Sequence, residues 1–342
     1  MNTLTPLPPL DESGACPGDE WATALLAPDI WLNTLLEAAF HKKNTDEFGE
    51  TYALIAVQHG KIILERYGAG RNADTLCPSW SMAKSITQAL VGLLAGDGKI
   101  DIHAPADVPE WQPGDDPRSA ITLDLLLRMS SGLSFREEYV ANASSDVVDM
   151  LWGRGKDDVA HFAASFPLAH TPGTFFSYSS GTTNIVSRCA SRALHGKGAD
   201  FESFMRRRLF DPLGIRSAQP KFDAAGTFIG SSFCAATPRD FARFGLLYLR
   251  GGCWRGTRLL PAGWVDYART PTWQQPTEED SYGAHWWLGL AGPGSFSANG
   301  FEGQFMVVVP EKDLVVVRNG RSQNGQKENV KRWVADIVAC IA

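Results

Sequence analysis

The sequence predicts an α+β fold in which an antiparallel sheet, flanked by helices, carries an inserted all-helical domain. Residues 52–57 and 62–67 are β-branched and aromatic runs on either side of a His-Gly-Lys turn, which indicates a hairpin. From residue 121 to 213 helical patterns dominate, and the other strand patterns lie after residue 280. Strands that are so far apart can share one sheet only by pairing across the helical part.

This arrangement divides the chain into segments. We expect residues 1–27 to be an irregular leader, because they are rich in Pro, Gly and acidic residues. Residues 28–100 and 225–342 would form the discontinuous sheet domain, and residues 101–224 the helical domain. A cleft between two such domains is a common place for a small-molecule site.

The individual elements follow from the spacing of apolar residues. Those between Trp31 and Phe40 recur at helical spacing, and residues 81–95 carry almost no charge, which predicts a helix that is buried on most sides. Further helices are predicted at 123–129, 147–152, 159–164, 183–194, 201–210, 240–249 and 330–341. Further strands are predicted at 284–290, 304–309 and 314–318.

Length and charge exclude several classes of protein. The 342 residues, 44% of them hydrophobic, suffice for one large domain or two interleaved ones, which excludes a disordered chain. The 32 Lys and Arg residues against 38 Asp and Glu residues leave a net charge of −6, so we expect no nucleic-acid partner. No apolar run is long enough to span a bilayer, so we expect no membrane partner. The oligomeric state stays open.

The cysteines and the first residues bear on the cellular compartment. Six cysteines without a Cys-x-x-Cys pair predict buried free thiols rather than a zinc site. Residues 1–20 contain neither Lys nor Arg nor an apolar run of seven, so they lack both parts of an export signal. We therefore expect a cytoplasmic protein with no metal and no other cofactor.

Ser81-Met82-Ala83-Lys84 is the first candidate for chemistry. Residues three apart lie on one face of a helix, so the Lys84 amine can reach the Ser81 hydroxyl and take its proton. The spacing also arises by chance, so its context decides: Lys84 would be the one charge in a buried helix, where burial disfavours an ammonium. The alternative is a helix cap with a lysine that reaches solvent.

Tyr178-Ser179-Ser180 is the second candidate. It lies in a turn before the helix at 183–194, so the Tyr178 side chain could point into a cleft. To act as a base, Tyr178 would need its pKa lowered from about 10 towards 7, which a nearby Lys84 ammonium can achieve. Taken alone, Tyr178 fits an ordinary turn tyrosine better.

Gly300-Phe301-Glu302-Gly303-Gln304 is the third candidate. Glycine at the edge of a strand lets a ligand approach the backbone, as an oxyanion-binding amide requires. The alternative is a plain β-bulge. Nearby, Trp286 and Trp287 are expected to pack a strand, with one ring a candidate for an acyl pocket, and His285 needs no catalytic role if Tyr178 acts.

In this order and at roughly these distances, the three motifs resemble those of the serine β-lactamase and penicillin-recognising superfamily, in particular its family VIII carboxylesterases and 6-aminohexanoate-dimer hydrolases. The match runs from about residue 53 to 317. The resemblance implies a β-lactamase/transpeptidase-like fold, an acylated Ser81 with Lys84 and Tyr178 as proton partners, and an oxyanion hole from the backbone N–H groups of Ser81 and Phe301. It also implies substrate contacts by Tyr139, Ser180, Asn299 and Gln304.

Two positions depart from the superfamily pattern. Ala298-Asn299-Gly300 stands at the Lys-Thr-Gly position, so the cation that pairs with a β-lactam carboxylate is missing. Ser180 replaces the Asn of Tyr-x-Asn. Efficient β-lactam turnover is therefore not expected.

The sequence therefore predicts a cofactor-free serine hydrolase that cleaves a small-molecule ester or amide through an acyl-enzyme on Ser81. The substrate could also be an ω-amino-acid dimer or a D-amino-acid peptide, and weak hydrolysis of β-lactams stays open. The alternative from another class is a penicillin-binding, sensor-like protein that is acylated without turnover. The intact Tyr178 argues against that alternative.

Overall fold

The computed structural model describes residues 4–8, 16–27, 29–41, 45–112, 115–138, 145–272 and 281–342. Its strands are β1 (Glu50–Gln58), β2 (Lys61–Tyr67), β3 (Gln219–Pro220), β4 (Cys234–Ala235), β5 (Cys253–Trp254), β6 (Thr257–Arg258), β7 (Ser281–Tyr282), β8 (Trp287–Leu288), β9 (Phe296–Gly300), β10 (Gln304–Val309) and β11 (Leu314–Arg321). Seven of them form one antiparallel sheet in the order β2-β1-β11-β10-β9-β8-β7.

Helices surround this sheet. Their bounds are α1 (Ile30–Phe40), α2 (Thr45–Phe48), α3 (Ala83–Gly96), α4 (Leu123–Leu127), α5 (Asp146–Trp152), α6 (Val159–Ala164), α7 (Ser180–Leu194), α8 (Ala199–Met205), α9 (Asp211–Leu213), α10 (Pro238–Leu249), α11 (Trp264–Arg269) and α12 (Lys327–Cys340). The predicted α+β class with a mainly helical middle is confirmed.

The pairing of β1 with β11 joins the two ends of the chain. It runs from Glu50 opposite Arg321 to Gln58 opposite Leu314, so the N-terminal hairpin and the C-terminal strands share one sheet, as expected. In the described residues between β2 and β3, no strand belongs to this sheet. The domain limits at residues 100, 101, 224 and 225 stay a prediction.

Both faces of the sheet are buried. Successive side chains of a strand point to opposite faces, so neighbouring residues of β1 belong to two different apolar clusters. In β1, Leu54 and Ala56 pack in one apolar cluster with α1 and α12. Ile55 and Val57 belong to a larger cluster on the other face, which includes α3, α7 and α10. The helix that carries Lys84 is therefore buried against the sheet rather than exposed beside it.

The structure differs from the predicted elements in several places. The expected strand at 284–290 is reduced to β8, because His285 takes a φ of +58° and its amide bonds to Leu127 in α4 instead of to a strand. The strand β9 was missed, since Phe-Ser-Ala-Asn-Gly lacks the β-branched residues that mark strands. The helix predicted at 201–210 changes to a π-helical turn at Arg206–Phe210. In α1 the buried residues include Leu32, whereas Trp31 is exposed.

The leader and the cysteines are partly as expected. The described residues 16–27 are irregular, but Thr23 forms a parallel bridge with Ile62 and so covers the edge of β2. All six cysteines are free, and four are buried; Cys16 is half-buried and Cys340 is exposed at the end of α12. None of the helices in the described ranges combines the length and the apolar character that a membrane span requires. The cytoplasmic location stays a prediction.

Candidate active site

Ser81 lies where the chain enters α3. It occupies a 3-10 turn, Trp80–Met82, that continues directly into the helix. Ser79 fixes this turn, since its hydroxyl donates to the Ser232 carbonyl (3.2 Å) and accepts from the Cys234 amide (2.9 Å). Trp80 takes a φ of +43°, which few non-glycine residues adopt. Ser81 is half-buried and lines a cavity.

Lys84 lies one helical turn after Ser81 and is 1% exposed. Its Nζ donates hydrogen bonds to Ser81 Oγ (3.0 Å), Ser180 Oγ (2.9 Å) and the Ser231 carbonyl (3.0 Å). Burial lowers the pKa of Lys84 to about 8, and the nearby charge of Glu137 opposes this shift. An amine with this pKa is available as a base near neutral pH.

The carbonyl of Ser231 is placed by a close approach of its loop to α3 and α7. A Cβ at Gly230 would lie 2.2 Å from Thr87 Oγ1 and 2.4 Å from Ser187 Oγ, so the loop requires glycine there. The Ser231 amide donates to Asn184 Oδ1 (3.2 Å), which fixes the peptide next to Lys84.

Tyr178 comes just before α7, whose N-cap is Ser179. The Lys84 Nζ lies 4.8 Å from the centroid of the Tyr178 ring, over its face. Burial raises the pKa of Tyr178 above its usual value, as does the charge of Glu137, while a hydrogen bond with Ser81 lowers it. The lowering of this pKa that a base would need is therefore not found, because desolvation and the charge of Glu137 outweigh the hydrogen bond with Ser81. Tyr178 keeps its proton.

Glu137, which the sequence reasoning did not single out, completes this group. Its Oε1 accepts from Ser180 Oγ (2.9 Å), and its Oε2 accepts from the Ser180 amide. That amide begins α7, and unpaired N–H groups at a helix start favour negative charge. No motif in the sequence marks Glu137. We call Lys84, Glu137, Tyr178 and Ser180 the helical wall.

The segment Gly300–Gly303, which we call the strand wall, lies opposite. A Cβ at Gly300 would lie 2.4 Å from the Ser79 carbonyl, so this strand end can approach the Ser81 turn only as glycine. Trp80 connects the Ser81 turn to the strand wall. Its ring packs edge-on against the Phe301 ring, with 5.5 Å between the centroids, and its Nε1 donates to Glu302 (3.1 Å).

Gln304 supports the strand wall from behind. It is fully buried and does not line the cavity. Its Nε2 donates to the carbonyls of Phe301 (3.1 Å) and Gly320 (2.6 Å), and its Oε1 accepts from the Gly320 amide (3.1 Å). This corrects the expected substrate contact: the amide is fully used in joining the turn to β11.

Arg318, also missed from the sequence, supports the same turn. It is 0% exposed, and its guanidinium donates to the carbonyls of Glu302 (3.1 Å) and Gly303 (2.7 Å). Further bonds reach the Phe48 carbonyl and Thr51 Oγ1. Burial lowers the pKa of Arg318 to about 9. The position of the strand wall therefore depends on buried donors in β10 and β11.

The other expected substrate contacts have different outcomes. Ser180 is 1% exposed and bonds to Lys84 and Glu137, so it belongs to the proton-handling group rather than to the cavity surface. Asn299 does line the cavity, and its Oδ1 is buried without a hydrogen-bond partner among the described residues. Tyr139 lies outside the described residues.

A cavity of about 240 Å³ lies between Glu137 and Tyr178 of the helical wall and Gly300–Gly303 of the strand wall. It is lined by Ser81, Glu137, Tyr178, Trp287, Asn299, Gly300, Phe301, Glu302, Gly303, Ser322, Gln323, Asn324 and Lys327. Ser81 and Phe301, whose amides are the expected oxyanion donors, thus face one space. Lys327 brings an exposed cation to the rim from the start of α12.

The aromatic and histidine residues near β8 divide into two groups. Trp287 lines the cavity and packs against Tyr178, at 5.2 Å between ring centroids, whereas Trp286 is fully buried. His285 is buried: its Nδ1 bonds to the Leu127 carbonyl (2.7 Å) and its Nε2 to Thr183 (3.0 Å). Burial lowers the pKa of His285 to about 3, so it is a neutral core residue, as the sequence suggested.

A family model described as Beta-lactamase matches residues 42–340, most of the chain. The chain belongs to the beta-lactamase family. Among its relatives, it is 26% identical over 288 residues to 6-aminohexanoate-dimer hydrolase from Paenarthrobacter ureafaciens, covering 78% of this chain and 72% of that protein.

Solved structures agree with the beta-lactamase fold. A family VIII carboxylesterase superposes with a TM-score of 0.68 at 17% identity, covering 93% of this chain and 99% of the other. Simvastatin synthase LovD from Aspergillus terreus superposes with a TM-score of 0.67 at 16% identity, covering 91% and 97%. At these identities the structures establish the fold, and the resemblance to the β-lactamase superfamily that the sequence motifs indicated is confirmed by the family model.

Proposed function

We propose that this protein is a serine hydrolase that cleaves a small ester or amide through an acyl-enzyme on Ser81. The observation that carries the proposal is the contact of 3.0 Å between Lys84 Nζ and Ser81 Oγ at the cavity, together with the lowering of the pKa of Lys84 to about 8 by burial. A buried amine of this kind acts as a general base for the adjacent hydroxyl.

In the acylation step, neutral Lys84 takes the proton of Ser81 and Oγ forms a bond to the substrate carbonyl carbon. The carbonyl oxygen becomes an oxyanion, for which the backbone amides of Ser81 and Phe301 are the proposed donors. Tyr178, which keeps its proton, donates it to the leaving alcohol or amine. The bond between the carbonyl carbon and this alcohol or amine breaks. Because Lys84 Nζ lies over the face of the Tyr178 ring rather than beside its hydroxyl, the proton that Lys84 gained passes to Tyr178 through a water molecule in the cavity.

In the deacylation step, a water molecule attacks the acyl-enzyme from the cavity. Neutral Lys84 removes a proton from this water, the bond between Ser81 Oγ and the acyl carbon breaks, and the Lys84 ammonium gives the proton to Ser81 Oγ. Both steps require Lys84 to be neutral. Activity should therefore rise with pH up to and through the region near pH 8.

The cavity and the relatives both indicate the class of substrate. A cavity of about 240 Å³ with an aromatic side, Trp287, suits a small acyl group. The relative 6-aminohexanoate-dimer hydrolase supports an amide and the family VIII carboxylesterase an ester. Ala298 is 2% exposed and provides no cation on β9 for a β-lactam carboxylate, so we expect weak nitrocefin turnover.

The first test is hydrolysis of p-nitrophenyl acetate and butyrate by the intact protein and by Ser81→Ala. We expect the variant to fall to the rate of the uncatalysed reaction, because the nucleophile is lost. Intact mass spectrometry during turnover should show an acyl adduct on the wild-type protein only. Equal rates for the two proteins would refute the proposal.

The same protein separates the remaining possibilities. Anilides matched to the two esters measure amide cleavage directly, side by side with ester cleavage. An ester-derived adduct that persists for hours without product release would support the sensor-like alternative and contradict turnover.

A further inference from the structure

We propose that Glu137 is a positioning residue: through Ser180 it fixes the direction of the hydrogen bonds around Lys84, so that the lone pair of Lys84 is aimed at Ser81. This rests on the proposed function, since it states how the base of that reaction is oriented. It assigns a role to a carboxylate that no sequence motif marked.

Glu137 sets the direction of the Ser180 hydroxyl. Glu137 Oε2 accepts from the Ser180 amide, and Oε1 accepts from Ser180 Oγ at 2.9 Å. An ionised carboxylate only accepts, so the single hydroxyl proton of Ser180 points to Glu137. Ser180 Oγ therefore presents a lone pair to Lys84 Nζ, which is 2.9 Å away.

This direction of the Ser180 hydroxyl matters when Lys84 is neutral. Its Nζ then has two protons, one lone pair and three oxygen neighbours. The Ser231 carbonyl can only accept, and Ser180 Oγ is made an acceptor by Glu137. Both protons are thereby used, and the lone pair is left facing Ser81 Oγ at 3.0 Å. The Ser81 hydroxyl must then donate to Lys84, which is the geometry of proton removal.

Glu137 also acts through its charge. Among the residues that the structure describes, the titratable groups around Lys84 are Glu137, Tyr178 with its neighbour Tyr282, and His285. Of these, Glu137 favours the ammonium form of Lys84, so removing its charge lowers the pKa of Lys84. Tyr178 keeps its proton, and His285 is neutral above about pH 3, so neither adds a changing charge near neutral pH.

Glu137→Gln tests both effects. The backbone N–H of Ser180 needs an acceptor, so the glutamine must turn its Oε1 towards this N–H. The NH₂ group of the glutamine then donates to Ser180 Oγ. The Ser180 proton then points at Lys84 and occupies the lone pair that Ser81 needs. We expect loss of the aimed base together with a lower Lys84 pKa.

The experiment uses a fluorophosphonate probe and the full chain. The second-order rate of Ser81 modification is measured from pH 6 to 10 by intact mass spectrometry, with thermal unfolding as a check on folding. For Glu137→Gln we expect a plateau rate lower by on the order of 10²-fold and a midpoint at lower pH than in the wild type. The matched control is Glu138→Gln, an exposed neighbour that loses the same charge and should follow the wild type.

Ser180→Ala separates the two effects, because it breaks the relay and keeps the Glu137 charge. We expect a lower plateau with the wild-type midpoint, and a double variant no slower than the slower single variant. A purely structural role of Glu137 would lower the plateau without moving the midpoint and would overturn the proposal. If Glu137→Gln does not fold, Glu137→Asp replaces it, because aspartate keeps the charge and has a shorter side chain. A shifted pH midpoint of Ser81 modification in Glu137→Asp would then overturn the proposal.

The two proposals fail in different ways. If the probe does not modify Ser81 in the wild type, or modifies Ser81→Ala equally, the proposed function is wrong. If the wild type is modified at Ser81 and Glu137→Gln follows Glu138→Gln, the function stands and this inference alone is refuted.

Discussion

The helical wall and the strand wall of the cavity hold their groups by different means. The helical wall consists of side chains that exchange or orient protons, and burial shifts the pKa values of two of them, Lys84 downwards and Tyr178 upwards. The strand wall offers mainly backbone, held by the buried donors Gln304 and Arg318. The helical wall therefore sets the pH range in which the reaction can proceed. The strand wall sets the position that the carbonyl oxygen of the substrate can take.

This difference matters for mutation. A change of the charged groups of the helical wall, Lys84 and Glu137, alters both the rate and its pH profile, whereas a change in the strand wall lowers the rate and leaves the pH profile unchanged. Lys84→Met and Gly300→Ala test that separation, and His285→Gln, with the smallest expected effect, tests the stability of the core behind the helical wall.

Lys84→Met should have the largest effect. It keeps a long side chain in the buried site and removes the amine, so we expect kcat/KM for a p-nitrophenyl ester to fall about 10²- to 10⁴-fold. The rise of activity near pH 8 should disappear as well. The matched control is Lys99→Met, an exposed lysine after the end of α3, which should retain wild-type activity. A residual pH midpoint near 8 in Lys84→Met would assign that titration to another group.

Gly300→Ala should have the next largest effect. The added Cβ would lie 2.4 Å from the Ser79 carbonyl, so the strand wall must move away from the Ser81 turn. We expect kcat to fall about 10²-fold, as for loss of one oxyanion donor, with the pH midpoint unchanged. Gly325→Ala, where a Cβ meets no atom within 4 Å, is the control. A shifted midpoint in Gly300→Ala would show that the two walls are not separable.

His285→Gln should have the smallest effect and concerns stability behind the helical wall. The pKa of His285 is lowered to about 3 by burial, while the unfolded chain binds this proton near pH 6.5. Between these values the unfolded state binds more protons, so the free energy of unfolding falls as the pH falls, by up to about 1.4 kcal/mol per pH unit.

Urea denaturation at several pH values between 7 and 4 measures this slope. His285→Gln should flatten it, and the exposed His103→Gln should leave it as in the wild type. If His285→Gln kept the wild-type slope, the acid sensitivity would belong to other groups.

Much of the fold and the proton-handling centre could be predicted from the sequence. The hairpin, the buried helix after Ser81 and the strand at 304–309 follow from local periodicity, and the structure has β10 at the predicted bounds. The pairing of Ser81 with Lys84 follows from the geometry of one helical turn. These features depend on residues that are close in sequence.

What could not be predicted depends on contacts between distant segments. Glu137 meets Ser180 across 43 residues, and nothing in its local sequence differs from that of an ordinary exposed carboxylate. Gln304 and Ser180 were expected to touch substrate, yet neighbouring backbone and side chains use their polar atoms. The direction of the Tyr178 pKa shift could not be predicted either, because the extent of burial, which dominates it, is a property of the packed structure.

The sequence by itself determined the elements, their order and the presence of a hydroxyl and an amine one turn apart, since periodicity and helix geometry act over a few residues. The tertiary structure decided which groups are buried away from water, which hydrogen-bond partners each polar atom has and in which direction each proton points. These depend on desolvation and on saturation of donors and acceptors, and both are set only when segments far apart in the chain pack together.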